Sequence, residues 1–447
     1  MNRTTTRTLL AAVPILAIGG VAGAAMRPIT TSTTAPTPAP VATASFLPER
    51  APAPVSQPTA KPALREEARA LWVNRWDYGN AESIRRVMEV ARRGGFNMVY
   101  FQVRGPSDAR YPSRLDPCSP LLCGRLGGVP TWDPLEVAIR EAHARGLQLH
   151  AWLNALSGWE STRAADCRGL VPSVAGQPNH ELIDHPEWAM RTQRGTVQTC
   201  PNGPDVEYIY LSPGNPGVRT HLARVAADVV RRYPVDGVHL DRIRYPGREY
   251  GWDPASLAAF GRDPSADPAG WSRFRRELVS KMVREVSDSI KAVRRIPLSA
   301  AVWPIYDRER FGWPSSSGVA QFFQDTWGWA SDGALDVAVP MTYFYVADQP
   351  CSYRPRRPGL EPNPDWACMV SDHVEGMKPT GRFVYAGILA GLPFAEIEKQ
   401  IRIGRERGVH GFSFYSYGAL QEVGAWRRLA EGPFREPAAV PQMPWLQ

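Results

Sequence analysis

No CxxC pair and no His-x-x-x-His run occur in this 447-residue sequence, and no Gly-rich phosphate turn follows its first predicted strand. Each absence removes a reading. Without CxxC or a neighbouring His, zinc is a poor account of the cysteines. Without paired His beside a suitable Asp, a metal-dependent polysaccharide deacetylase lacks its ligands, and no metal or other cofactor is expected. Without the glycine turn, an open doubly wound sheet lacks its phosphate cradle and stands only as the runner-up fold. Arg and Lys are scattered, with no basic block interleaved with aromatics, so no nucleic-acid partner is expected. Internal repeats and a second folded domain are also missing.

What is present is ordinary globular composition, 43% hydrophobic and 21% charged, with a formal net charge of +8. A mildly basic exported protein that meets an acidic polymer fits that balance. Met1 to Arg7 is a short basic region, Leu9 to Ala25 is apolar, and Ala22-Gly23-Ala24 offers a small-x-small cleavage site. Residues 1–26 therefore read as a signal peptide; the alternative is an uncleaved membrane anchor. No Cys lies near the cleavage region, so no lipoprotein acceptor is present. Residues 27–64 are rich in Pro, Thr and Ala and read as an extended spacer. All six cysteines follow it. Neighbouring pairs fall in Pro/Gly-rich connections, and among fifteen possible connectivities the pairing expected is Cys118–Cys123, Cys167–Cys200 and Cys351–Cys368.

From Arg69 onward, apolar strands alternate with amphipathic helices about eight times, ending with a strand at Val409 to Tyr417. That is the pattern of a (β/α)₈ barrel over residues 65–430, with long cysteine-bearing βα loops and a Pro-rich tail at 431–447. One loop, from about Ala155 to Pro216, is a long insertion, and Gly318 to Ala330 reads as one helix. In such a barrel, chemistry sits at the C-terminal ends of strands and stability at their starts. Val235-Asp236-Gly237 and Leu335-Asp336-Val337 both open strands, so both aspartates are expected to cap turns on the barrel floor. Asp241 closes its strand. His239 and Asp241 share one face of that strand while Val238 and Leu240 share the other.

Other predicted strand ends carry similar polar and aromatic sets. Tyr100, Gln102 and Arg104 share a face, as do His150, Trp152 and Asn154. Asn74, Trp76 and Asp77 leave the first strand, Trp303 and Asp307 the fifth, Met341 and Tyr343 the sixth, and Tyr415 and Tyr417 the eighth. Aromatics beside Asn, Gln, Arg and Asp suit a sugar, whose C–H face stacks on a ring while its hydroxyls take hydrogen bonds. The expected substrate-binding set is Gln102, Arg104, His150, Trp152, Asn154, His239, Arg242, Arg244, Tyr245, Trp303, Tyr343 and Tyr415. Taken singly, His150 and His239 read as hydrogen-bonded barrel residues.

Several stretches, in order, resemble the glycosyl-hydrolase-like family ten of exported bacterial (β/α)₈ proteins. They are Ala70-Leu71-Trp72-Val73, Phe101 to Ser113, Glu141 to Asn154, Leu211 to Arg219, Val235 to Gly247 and Asp336 to Tyr343. The resemblance implies a glycoside hydrolase, and the family includes an enzyme acting on peptide-stripped peptidoglycan strands. Many relatives carry a second acid or a tyrosine directly after the aspartate matching Asp241; here that residue is Arg242. Such an arginine suits an anionic group on the substrate, for instance a lactyl carboxylate.

Glycoside hydrolysis commonly uses two carboxyl groups, one protonating the leaving oxygen and one acting as nucleophile or base. Asp241 is the expected first member, on the nucleophile or base side, because Arg104 and Arg244 favour the charged form of a neighbouring carboxylate. Asp307 and Asp108 are the expected partners, with Asp77 third. The alternative is a non-catalytic glycan-binding protein on a degenerate glycosidase barrel. In either case the partner is a polysaccharide, and a membrane is involved only if the N-terminal segment stays attached.

Overall fold

A computed structural model describes residues 64–160, 167–196, 208–307, 317–347 and 365–447. The segments expected to be a signal peptide and, apart from residue 64, a spacer lie outside these residues. Eight parallel strands close into a barrel. They are β1 (Ala68–Val73), β2 (Met98–Arg104), β3 (Gln148–Asn154), β4 (Gly237–Asp241), β5 (Leu298–Val302), β6 (Val337–Pro340), β7 (Phe383–Leu389) and β8 (Gly411–Tyr415). Each pairs with its neighbours in chain order, and β8 pairs with β1. The helices that follow them are α1 (Ala81–Arg93), α2 (Pro134–His143), α3 (Pro216–Arg232), α4 (Pro268–Val293), α5 (Thr326–Ser331), α6 (Trp366–Met377), α7 (Phe394–Arg407) and α8 (Trp426–Glu431). No helix among the described residues is long and apolar enough to cross a membrane.

Local chemistry sets the boundaries. Asn80 and Ser83 form a reciprocal capping box that starts α1, Asn80 Oδ1 accepting from Ser83 N at 2.8 Å. Asp133 caps α2 through the Leu135 and Glu136 amides, as its position predicts. Gly95, past the end of α1, has φ +84, and a Cβ there would lie 2.8 Å from the Phe434 Cβ. That turn therefore needs glycine on both conformational and steric grounds.

The floor aspartates behave as their position predicts. Asp236 Oδ2 accepts from Leu149 N at 2.7 Å and Asp336 Oδ2 from Leu298 N at 2.9 Å, each satisfying an amide near the start of a neighbouring strand. Asp336 also accepts from Trp445 Nε1 at 2.7 Å, so the Pro-rich tail docks on the floor. Ala438–Ala439 pairs in parallel with Arg65–Glu66, and Val440 and Met443 pack under the barrel interior.

One expectation changes. The helix expected over Gly318 to Ala330 is broken into Gly318–Gln321 and Thr326–Ser331. Between them Phe323 is left-handed (φ 57) and the buried Gln324 side chain turns inward. Gln324 accepts from Trp303 N at 2.8 Å and donates to Ile243 O and Ala301 O, at 3.3 and 3.2 Å. One amide thus ties the ends of β4 and β5, which a continuous helix could not do. Within the long insertion after β3, Ser157–Glu160 and Tyr208–Tyr210 pair as an antiparallel hairpin. Cys118 and Cys123 are bridged as expected. Cys167 and Cys368 are also in disulfides, while Cys200 and Cys351 lie outside the described residues.

Candidate active site

Alternation along β4 puts Leu240 among the helices and turns His239 and Asp241 inward. Depth separates that pair. His239 is fully buried, bonded to Ser299 Oγ at 2.8 Å and stacked on Tyr100 at 4.1 Å. Asp241, the last residue of the strand, keeps 13% of its side chain exposed at the mouth. Arg242 follows in a left-handed conformation (φ 54) that is costly for a residue with a Cβ. The turn aims the Arg242 amide back at Asp241 Oδ1, 2.6 Å away. Arg244 Nη1 lies 3.6 Å from the same oxygen. The Asp241 carboxyl group is thus held between an amide and a guanidinium, with an edge open to solvent at the barrel mouth.

Aromatic rings surround it. The Arg244 guanidinium sits 5.7 Å from the Trp303 ring and the Arg242 guanidinium 5.2 Å from the Tyr208 ring. Trp303 is half-buried, tilted on Phe322 at 3.9 Å, with its amide held by Gln324. Tyr343 stacks on Tyr415 at 5.5 Å, and the peptide joining Tyr415 to Ser416 is cis. Burial above all, then the neighbouring Tyr415 and the Asp241 charge, push the Tyr343 hydroxyl well above its ordinary value. Tyr343 is therefore a neutral hydroxyl, able to donate, facing the Asp241 charge.

The carboxyl groups expected as partners sit in unlike surroundings. Asp307 is half-buried past the end of β5, next to Tyr306, which stacks on Trp327 and donates to Asp325 at 2.7 Å. Asp108 is buried in the β2 loop, 3% exposed. Burial raises its pKa, against the pull of Arg75, Ser119, His180 and Arg110. Asp77, past the end of β1, is half-buried and accepts from Asn74 N at 2.8 Å. Burial outweighs that bond and raises its pKa to about 6. A further carboxyl not anticipated from the sequence, Glu160 on the hairpin, keeps 34% of its side chain exposed and pairs with Arg75. Glu160 lies opposite Tyr208 in the hairpin, the ring under Arg242. Only the antiparallel pairing brings it there, so no local pattern signals it.

Much of the expected sugar-binding set lies below the mouth. His150, Trp152, Asn154, His239 and Tyr245 are at most 3% exposed and serve packing. Trp152 donates to Asn154 Oδ1 at 3.0 Å and meets Trp72 edge-on, and His150 packs against Tyr100. Gln102 accepts from Arg75 N at 3.0 Å, fixing the turn after β1. Tyr245 packs edge-on against Phe323. His150, Trp152 and His239 fill the barrel because inward-facing positions away from strand ends are core positions, while Asn154 ends β3 level with Asp241 and is covered by its neighbours.

Arg104 is likewise turned away from the mouth. Its Nε pairs with Asp116 Oδ2 at 2.8 Å and its Nη2 with Glu181 Oε1 at 2.9 Å, both carboxylates buried. His221 Nε2 closes the set at 2.8 Å from Asp116 and 3.0 Å from Glu181. The three acceptor residues bring their ligand-type atoms within 4.8 Å of one another, but Arg104 and His221 already neutralise both carboxylates. Arg104 also donates to Asn154 O at 2.6 Å, while Ala155 N donates to Asp241 O at 2.7 Å. The cluster therefore holds the end of β3 against the strand that carries Asp241.

Residues 67–353 match the family described as glycosyl hydrolase-like 10. The chain belongs to that family. It is 29% identical over 299 residues to the glycosyl hydrolase DigH of Escherichia coli K12, covering 65% of this chain and 61% of DigH. It is 27% identical over 385 residues to the glycosyl hydrolase YngK of Bacillus subtilis, covering 81% of this chain and 68% of YngK. The chain thus spans less than two thirds of DigH. Among solved structures, the glycoside hydrolase domain of PgaB from Bordetella bronchiseptica shares the fold, with a TM-score of 0.53 at 14% identity, covering 81% of this chain and 98% of that one. An α-L-fucosidase from Paenibacillus thiaminolyticus shares it with a TM-score of 0.54 at 13% identity, covering 83% of this chain and 49% of that one.

Proposed function

We propose that this chain is an exported glycoside hydrolase acting on a cell-envelope polysaccharide, with peptidoglycan glycan strands as its substrate. The observation that carries the reading is Asp241, presented at the mouth between the Arg242 amide and Arg244 and ringed by Tyr343, Tyr415 and Trp303. Asp241 acts as nucleophile or as base toward water. The proton for the leaving oxygen comes from a carboxyl on another strand end, from among Asp307, Asp77 and Glu160. Asp77 suits the task best, because burial favours its protonated form in mildly acidic solution. Glu160 is already engaged by Arg75, and Asp108 is too deep to reach a sugar. The N-terminal 26 residues serve as the export signal and the Pro-rich stretch after them as a spacer that lets the barrel reach the polymer.

Purified protein incubated with peptide-free glycan strands is expected to release soluble fragments with new reducing ends. An acid with a pKa of about 6 must hold its proton to work, so kcat/KM falls as pH rises through about 6. Binding without release on a panel of envelope glycans would favour the non-catalytic alternative and sink the enzymatic reading.

The exposed aromatics fit a polymer. Among the described residues, Trp76 and Tyr345 are the two large aromatic side chains left exposed, at 57% and 54%, and both follow strand ends at the mouth. The Arg75 guanidinium lies 4.8 Å from the Trp76 ring and holds it in place. Trp76→Ala is expected to raise KM on long strands roughly 3–10-fold, the worth of one stacked ring, and to change kcat less. Equal losses on the shortest cleavable fragments and on long strands would count against a distal sugar platform.

A further inference from the structure

A cavity of about 400 Å³ opens on the barrel floor, at the end of the molecule opposite Asp241. Arg65, Arg69, Arg405 and Arg435 line it, with Glu431 and Glu436. One buried carboxylate, Glu67, serves three of these guanidinium groups. It takes Arg69 Nε at 2.8 Å and Arg405 Nε at 2.7 Å, and Arg65 Nη1 lies 3.7 Å away. Glu431 leans outward toward Arg427, and Glu436 is exposed at the rim. Positive charge at the base of the cavity is therefore only partly matched.

Arg69 shows the mismatch most directly. Its side chain is 1% exposed and stacked on Phe434 at 4.4 Å, with Nη1 donating to Phe434 O at 3.2 Å, yet its Nη2 has no hydrogen-bond partner. A buried guanidinium donor left unmatched is costly. Burial first, and the Arg405 and Arg65 charges after it, lower the Arg69 pKa despite its bond to Glu67. A buried guanidinium whose neighbours are mostly guanidinium groups marks a site short of negative charge.

We propose that this floor cavity binds a phosphate group, either free or as part of a phosphodiester polymer of the cell envelope. Exposed guanidinium groups on the Arg65 strand and on the segment after α8 can give donors to a tetrahedral oxyanion, and Arg405, whose Nε and Nη2 are held by Glu67, adds its charge from the α7 terminus. A planar carboxylate would satisfy fewer of them. The site is separate from the mouth, so its ligand tethers or orients the enzyme and takes no part in glycosidic cleavage.

Calorimetric titration and thermal melting of the full chain test this, with inorganic phosphate, a glycerol-phosphodiester oligomer and sodium chloride compared at equal ionic strength. Saturable binding and a raised Tm are expected with a phosphate compound and not with chloride. The Arg65→Gln/Arg435→Gln pair, both exposed in the wild type, should weaken phosphate binding at least tenfold without lowering the Tm measured in chloride. Tighter binding of the oligomer identifies the polymer as the source, and tighter binding of inorganic phosphate identifies the free ion. Equal responses to phosphate and chloride, or an undiminished phosphate response in the double variant or in Arg435→Gln alone, would overturn the proposal.

Discussion

Asp241→Asn is expected to lower kcat on glycan strands about 10³-fold while leaving the fold intact, the middle of the range for a group acting in proton transfer. The replacement is isosteric, and its amide oxygen can still accept from the Arg242 amide that Asp241 Oδ1 accepts from at 2.6 Å. What it removes is the negative charge, and with it the ability to attack the anomeric carbon or to take a proton from water. The main-chain bond from Ala155 N to Asp241 O, 2.7 Å long, does not involve the side chain. Circular dichroism and melting should therefore match the wild type. Assays of reducing-end release read the loss, and a variant that keeps wild-type turnover would remove Asp241 from the chemistry altogether.

Arg104→Met should cost stability, by about 3–5 kcal/mol, because it leaves two buried carboxylates short of their partner. Asp116 and Glu181 would share His221 alone, and the donor to Asn154 O would be lost with the guanidinium. A drop in Tm of about 4–7 °C follows for a domain of this size. The same cluster sets a pH window. Asp116 and Glu181, through Arg104 and His221, hold their protonation below the ordinary carboxyl range. Their stabilisation is present above that range and lost as pH falls through their lowered pKa values. Hydrogen bonds from His221 to Asp116 and Glu181 outweigh burial and raise its pKa to about 10. That contribution is complete below the ordinary histidine value and is lost as pH rises through about 10. Urea midpoints of wild type and variant across this range read both effects. An unchanged midpoint at neutral pH would show that the cluster is not structural.

These two residues mark what was legible before the structure. The barrel was, because strand alternation, helix caps and Gly stops are local signals, and Asn80, Asp133 and Gly95 behave as their types require. Position along a strand was legible too. Asp236 and Asp336 bond strand-start amides on the floor, while Asp241 lies at the mouth. The break before α5 was not, because the buried contacts of Gln324 reach 21 residues back to Trp303 and 81 back to Ile243.

Facing inward was a poor guide to facing a ligand. Gln102, Arg104, His150, Trp152, Asn154 and His239 should all point inward by alternation, yet each is buried among other protein groups, and a register shift after Gln102 leaves Arg104 paired with Asp116 and Glu181. Arg104 finds its acids 12 and 77 residues away, and Glu160 reaches Arg75 across 85 residues. Those separations carry no periodic signal. The sequence by itself determined a (β/α)₈ barrel, a polar and aromatic mouth, and Asp241 as its strand-end carboxylate, since each follows from backbone periodicity. Only the tertiary structure decided which polar groups are spent on one another and which stay open, because burial pairs charges across the chain and leaves unmatched those that loops hold at the rim.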